Sequence, residues 1–261
     1  MYLFFVILFI NNLDAQEQKD ATSEKLAKQL ANPMADLISV PFQNNYEFNV
    51  GPLNGLRYTL NVQPIVPVSI GEKWNMISRT ILPITFQKDV SFDGDSEFGI
   101  GDIVQSLFFS PKKPTNNGFV WGVGPVFLIP TATDDALGIK KWATGPNAVF
   151  LKTHGQWTYG VLVNHMWSFA GSGSGDVNTS FLQPYTTYVT PKGVSYTIAS
   201  ENTQDWDNDL FGGFIGVYYA QIISIKKYKL QVGGGPKVYY GNHSFNPDWG
   251  FRINVISLFP K

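Results

Sequence analysis

The sequence predicts an all-β fold: a closed, antiparallel transmembrane β-barrel of about 12 strands, preceded by a short N-terminal helix. Three observations carry this prediction. After Pro41 the chain alternates apolar and polar residues with period two, and aromatic residues gather at the strand ends. Tight turns alternate with longer loops along the chain. Charged residues make up only 15% of the 261 residues, against roughly 25% in an ordinary soluble domain, and no apolar run reaches the ~20 residues a membrane helix needs.

The N-terminus reads as a targeting segment. MYLFFVILFI is apolar over about the length of a signal-peptide core, turns polar at Asn11 and Asn12, and offers Ala15 before Gln16 as a cleavage point. No Lys or Arg precedes it, and Leu13 is large for its place before the cleavage point. The predicted division is a signal peptide over 1–15, an N-terminal helical segment over 16–40 and a barrel over 41–261. Helix formers with Leu26, Leu30 and Ala31 at helical spacing place the helix between Asp20 and Ser39. Pro33 breaks or kinks it. The segment sits either in the periplasm or in the lumen as a plug.

The strands follow in order. In LRYTLNVQP, Leu56, Tyr58, Leu60 and Val62 face one way, and Arg57, Thr59, Asn61 and Gln63 the other. In QWTYGVLVNHMWSF, Trp157, Tyr159, Val161, Val163, Trp167 and Phe169 share a face, aromatic at both ends and aliphatic between. That is the profile of a lipid-facing strand. Strands are expected to start near Phe42, Leu56, Lys73, Phe98, Phe119, Trp142, Gln156, Asp176, Val194, Leu210, Tyr228 and Asp248. SIGEKW, THGQ, TPKG and KKYK are tight turns on one side, with SPKKPTNNG the longer one there. QKDVSFDGDSEF, TATDDALGIKKWATG, AGSGSGDVN and NTQDWDND are loops on the other. Short periplasmic turns and longer extracellular loops are the outer-membrane arrangement, so the expected location is the cell outer membrane. The final strand, GFRINVISLF, places Phe251, Ile253, Val255 and Phe259 on one face. Such a strand ending in an aromatic is expected to engage the barrel assembly machinery, and the outer surface to contact outer-membrane lipid and lipopolysaccharide.

Composition excludes several function classes. The chain has no cysteine, which removes disulfides, thiolate metal sites and cysteine nucleophiles. A net charge of −1 leaves no footprint for nucleic acid. The three histidines, His154, His165 and His243, form no zinc-protease motif. His165 lies on the outward face of its strand and Ser168 on the other, so they do not pair. Ser–His pairs formed in three dimensions stay open at this point. GSGSGD (Gly171 to Asp176) lacks the Lys-Ser/Thr of a phosphate loop, and DGDSE (Asp93 to Glu97) lacks the closing Glu of a calcium loop. Both read as solvated loops. No catalytic residue, metal site or cofactor is expected.

The inward faces are mixed. Arg57, Asn61, Gln63, Asn164, Arg252 and Asn254 are pore-lining candidates by alternation. Arg79 joins them because an arginine facing lipid at mid-depth costs roughly 2–4 kcal/mol, and Ile77 and Ile81 then turn inward with it. Val120, Val126, Leu128, Leu162 and Met166 are also inward. Such a lumen is either packed or an amphipathic route for apolar solutes.

From about Leu30 to the end, the chain also resembles a bacterial family of outer-membrane barrels named for the MetA pathway of phenol degradation, often labelled "transporter". The likeness rests on LANPMADLISVPFQNNYEFNVGP, RYTLNVQP, SRTILPITFQ, GIGDIVQSLFFSP, WGVGPVFLIPTATD, GQWTYGVLVNHMWSFAG, FLQPYTTY and PDWGFRINVISLFP. It implies a barrel that moves small hydrophobic or aromatic compounds. The runner-up expectation is a non-transporting structural or adhesive barrel with a packed lumen, and a third is an outer-membrane hydrolase.

Overall fold

A computed structural model describes residues 20–90, 94–226 and 228–259. The expected signal peptide therefore lies outside the described residues. The chain forms β1 (Ile38–Val50), β2 (Gly55–Val62), β3 (Ile65–Ile70), β4 (Trp74–Lys88), β5 (Ser96–Ile100), β6 (Ile103–Pro111) and β7 (Phe119–Ile129). There follow β8 (Lys141–His154), β9 (Trp157–Gly171), β10 (Asn178–Val189), β11 (Val194–Asp205), β12 (Leu210–Ile225), β13 (Tyr228–Gly241) and β14 (Trp249–Phe259).

These segments make a closed barrel of twelve staves, because two staves are interrupted. β2 and β3 lie on one line against β4: the register pairing Leu56 with Lys88 continues unchanged as Ile65 with Arg79, across a break at Gln63 and Pro64. β5 and β6 also share one line against β4, with a one-residue step at Gly101–Asp102. Every neighbouring pair is antiparallel. The ring closes where β1 meets β14, from Ile38 opposite Phe259 to Phe48 opposite Trp249. Closure removes the unpaired edges that would otherwise leave backbone amides bare in hydrocarbon.

The helix is shorter than the sequence suggests. Residues 20–30 are helical, a turn follows, and β1 begins at Ile38, so Ile38 and Ser39 are strand rather than helix. Pro33 has no N–H to continue the helical ladder, and closure uses Ile38 and Ser39 to cover Phe259 and Leu258.

Prolines inside strands remove ladder donors, and three staves handle this alike. At Gly124-Pro125, Gly145-Pro146 and Gly235-Pro236 the pairing skips two residues on the neighbouring strand. In each case the glycine backs onto a carbonyl of that strand. A β-carbon would lie 2.1 Å from the Leu107 oxygen, 1.9 Å from that of His165 and 1.8 Å from that of Val217. The neighbouring backbone comes closer than any side chain permits.

The outer surface carries the apolar belt. On β9, Trp157 and Tyr159 are exposed at one end, Val163 in the middle, and Trp167 and Phe169 at the other. Tyr196, Ile198, Val217, Val238, Trp249 and Phe259 continue the belt around the barrel. An exposed apolar surface of this extent is matched by lipid rather than water.

The interior is filled at the end where β1 begins at Ile38 and β14 ends at Phe259, the periplasmic end in the arrangement expected above. There Leu26, Ala27 and Leu37 pack on Val189, Ile222 and Leu258. Further in, Met34 packs with Ile77, Phe108, Val149 and Leu162. Gly193, in the turn between β10 and β11, has φ +75°, and a β-carbon there would meet Ser23 at 2.6 Å, so only glycine lets the helix this close. Gln156, in the β8–β9 turn, donates to Glu24 at 3.0 Å, and Tyr185 donates to the Ala31 carbonyl at 3.3 Å. Of the two positions open to this segment, the contacts put it in the barrel mouth.

The luminal cavity as candidate functional site

Beneath the plug segment lies a cavity of about 270 Å³. One wall is apolar: Met34 and Leu30 from the plug, with Ile65, Ile77, Phe108, Val149 and Leu162 from β3, β4, β6, β8 and β9. The rest of the lining is polar and includes Gln63, Arg79, Gln183, Tyr185, Tyr218, Gln231, Arg252 and Asn254. The mixture follows from strand alternation. Each stave sends every second side chain inward, and these positions bring Phe108, Val149 and Leu162 from β6, β8 and β9 together with Arg79, Gln183 and Arg252 from β4, β10 and β14.

The polar wall is a connected network. Gln43 accepts from Asn61 at 3.4 Å and from Gln63 at 3.3 Å, and Gln63 in turn accepts from the Arg79 guanidinium at 3.0 Å. Arg252 donates through Nε to Asn45 at 2.8 Å and through Nη1 to Glu201 at 2.9 Å. Its guanidinium also lies over the Phe214 ring at 5.1 Å and the Tyr218 ring at 5.4 Å. Further along β13, Lys237 is 1% exposed and bonds Glu47 at 3.1 Å and Asn45 at 3.2 Å. Glu47 also accepts from Tyr239 and faces Arg57, whose Nε donates to Gln87 at 3.0 Å. Each of these charges except Arg79 has an opposite charge within 4 Å, which offsets the cost of holding it away from water.

The sequence-selected residues separate into two groups. Gln63, Arg79, Arg252 and Asn254 line the cavity. Arg57 and Asn61 belong to the same luminal wall but sit beside the cavity, in the Glu47 and Gln43 networks. Asn164 faces Asn147 across β8 and β9, one step beyond the Val149–Leu162 pair. The side-chain Oδ1 atoms of Asn164, Asn147 and Asn254 are buried without a protein partner among the described residues. Buried amides of this kind are normally satisfied by ordered water or a ligand.

Sequence reasoning missed Gln43, Asn45, Glu47, Glu201 and Lys237. For Gln43, Asn45 and Glu47 the signal was present, since they alternate with Phe42, Tyr46 and Phe48. Glu201 and Lys237 sit in ASENT and GPKVY, where small residues, proline and a neighbouring Asn give alternation little contrast.

The third expectation, a hydrolase, meets one Ser–His pair among the described residues. On the outer face, His165 Nδ1 lies 2.7 Å from Ser180 Oγ, and Trp206 Nε1 donates to the same oxygen at 2.9 Å. His165 Nε2 is buried without a partner among the described residues, so no third group orients the ring. Ser180 sits on a strand paired on both sides, which engages the amides an oxyanion would need. The pair is a polar tie between β9 and β10 that lacks those two parts of a hydrolytic site. Among the described residues no group of three or more His, Asp or Glu side chains is placed to hold a metal.

No family model matches the chain, and no curated protein matches it. Solved structures do. A COG4313 outer membrane channel from Pseudomonas putida F1 is 13% identical, with 86% of this chain and 96% of that chain covered at a TM-score of 0.68. Outer membrane phospholipase A from Escherichia coli is 12% identical, with 86% and 90% covered at a TM-score of 0.48. The first likeness extends over nearly the whole channel and establishes the fold. The chain is an outer-membrane β-barrel with a helix in its lumen.

Proposed function

We propose that this barrel is an outer-membrane channel for small, partly apolar molecules, with the cavity beneath the plug as a station on their route. The observation that carries the reading is the mixed lining of the cavity. Its aliphatic side chains suit an apolar solute, and the amides and charges beside them keep the interior open to water. The Asn147, Asn164 and Asn254 side-chain oxygens, which meet no protein donor among the described residues, offer acceptors to water or to a solute in the lumen. The family resemblance on the quoted segments and the fold shared with an outer membrane channel support the same reading.

The runner-up, a non-transporting barrel, is favoured by one observation: residues 20–37 fill one mouth. Transport under the first reading therefore requires that segment to move. Uptake by lipid vesicles carrying the folded full chain separates the two readings. Small aromatics should enter faster than sugars of similar size, each measured above protein-free vesicles. Equal, background-level uptake of both by a barrel shown to be folded by its heat-dependent gel shift would favour the scaffold.

A further inference from the structure

We propose that the cavity is a binding site for a small apolar carboxylate, with the Arg79 guanidinium as its anion anchor and the Leu30 and Ile65 side chains of the same lining as the seat of its apolar body. This rests on the channel reading and names the substrate class it admits. Three observations lead to it.

Arg79 is the charge the network leaves unmatched. Its one side-chain hydrogen bond is from Nη2 to the neutral Gln63 amide, and its Nε and Nη1 meet no protein acceptor among the described residues. Among the described residues no carboxylate lies within 4.0 Å of it, the limit for an ion pair. Glu201 acts on it from farther off and is already held by Arg252 at 2.9 Å. A guanidinium kept from bulk water without a counter-charge is costly, and the second Nη2–H, together with either Nε–H or Nη1–H, makes a fork that grips a carboxylate through two parallel hydrogen bonds.

Arg79 also faces open space. It remains partly accessible inside the barrel, and the space it borders is the cavity. On the same strand, two residues away and on the same inward face, Ile77 is fully buried in the apolar cluster with Met34, Phe108, Val149 and Leu162. That cluster is buried, and the partly accessible apolar side chains beside it, Ile65 and Leu30, are the ones left to meet the apolar end of an anion on Arg79.

The size agrees. A cavity of about 150 Å³ suffices for benzene, and this one is about 270 Å³, enough for a ring with a carboxylate and a few waters. The charge agrees too: Glu201 and Arg252 are paired with one another, which leaves the single Arg79 charge to be matched by one carboxylate.

The test uses the full chain folded in detergent and titrated with benzoate, benzyl alcohol and acetate, with binding followed calorimetrically for the native chain, Arg79→Lys and Arg79→Gln. Benzoate should bind the native chain at least tenfold more tightly than either benzyl alcohol or acetate. Arg79→Gln should weaken benzoate at least tenfold while leaving benzyl alcohol within about twofold, and Arg79→Lys should fall between. Retained benzyl alcohol binding shows that the cavity in the variant is intact. Equal affinity for benzoate and benzyl alcohol in the native chain, undiminished benzoate binding in Arg79→Gln, or no binding at all overturns the proposal. Vesicle uptake separates the two readings: aromatic uptake without benzoate selectivity leaves the channel and removes the anchor, and benzoate binding without uptake does the reverse.

Discussion

Arg252 and Glu201 illustrate what a charge requires inside a barrel wall. Arg252 is 6% exposed, engaged at once by a carboxylate, an amide and two aromatic faces. Removing the carboxylate leaves the cation buried with only neutral partners. Glu201→Ala should lower unfolding stability by about 3–5 kcal/mol, the usual cost of breaking a buried pair from one side, measured by denaturant-induced unfolding in lipid. Glu201→Gln, which keeps an acceptor oxygen for Arg252, should cost clearly less, and equal losses would mean that charge contributes little. At this scale the sequence is partly legible. Arg79 could be turned inward because lipid rejects it, and Arg252 because it alternates with phenylalanine and isoleucine. Glu201 has Ser200 and Asn202 as neighbours, both polar and both on the outer face, where they bond Tyr240. Polarity there gives no sign of direction.

Two elements carry predictions of their own. At Gly235 a β-carbon would lie 1.8 Å from the Val217 carbonyl oxygen, with the backbone rather than a flexible side chain in the way. Gly235→Ala must separate β12 from β13, and a loss of about 1–3 kcal/mol is expected, as for other overpacking substitutions. Gly175, with nothing within 4 Å of its would-be β-carbon, is the control, and its alanine variant should unfold like the native chain. The Gly-Pro pairs are visible in the sequence, but proline normally argues against a central strand. Only closure explains why prolines sit in strands that have no edge.

The plug helix holds to the wall partly through Glu24. Hydrogen bonds from Lys28 at 2.8 Å and Gln156 at 3.0 Å keep its carboxyl below the ordinary value of 4.5. The stabilisation is complete above that value and is lost as pH falls through the lower, folded-state pKa. Opening of the helix would be read in each acidic buffer itself, by hydrogen exchange of the residue 20–30 amides relative to their intrinsic rates. Protection should fall as the pH drops below about 4.5, and Glu24→Gln should flatten that fall. The side chains are partly exposed, so the effect is modest, about 0.2–1 kcal/mol. An identical profile in Glu24→Gln would show that other groups set it. The sequence showed the helix and its breaker at Pro33, but not its seat. That seat depends on Gly193 and Gln156, in turns whose composition only says that they are turns.

At the scale of the molecule, the barrel itself was the most legible part. The expected strand starts fall within a few residues of the observed ones, and tight turns separate from long loops as expected, because lipid imposes a strict contrast between the two faces of each strand. The lumen was less legible, since it mixes aliphatic, amide and charged residues and no single rule sorts them. What joins the levels is the plug, which closes one mouth and roofs the cavity. If the lumen is a route, the plug is its gate.

The most direct measurement is therefore uptake with the plug tied and released. The chain contains no cysteine, so a Glu24→Cys, Gln156→Cys pair joined by a short thiol crosslinker tethers the helix to the β8–β9 turn without competing thiols. Vesicles carrying the reduced pair should take up small aromatics ahead of sugars, crosslinking through a reducible linker should stop the uptake, and reduction should restore it. Background uptake in both states from a folded barrel would contradict the channel, and undiminished uptake with the plug tied would contradict the gate.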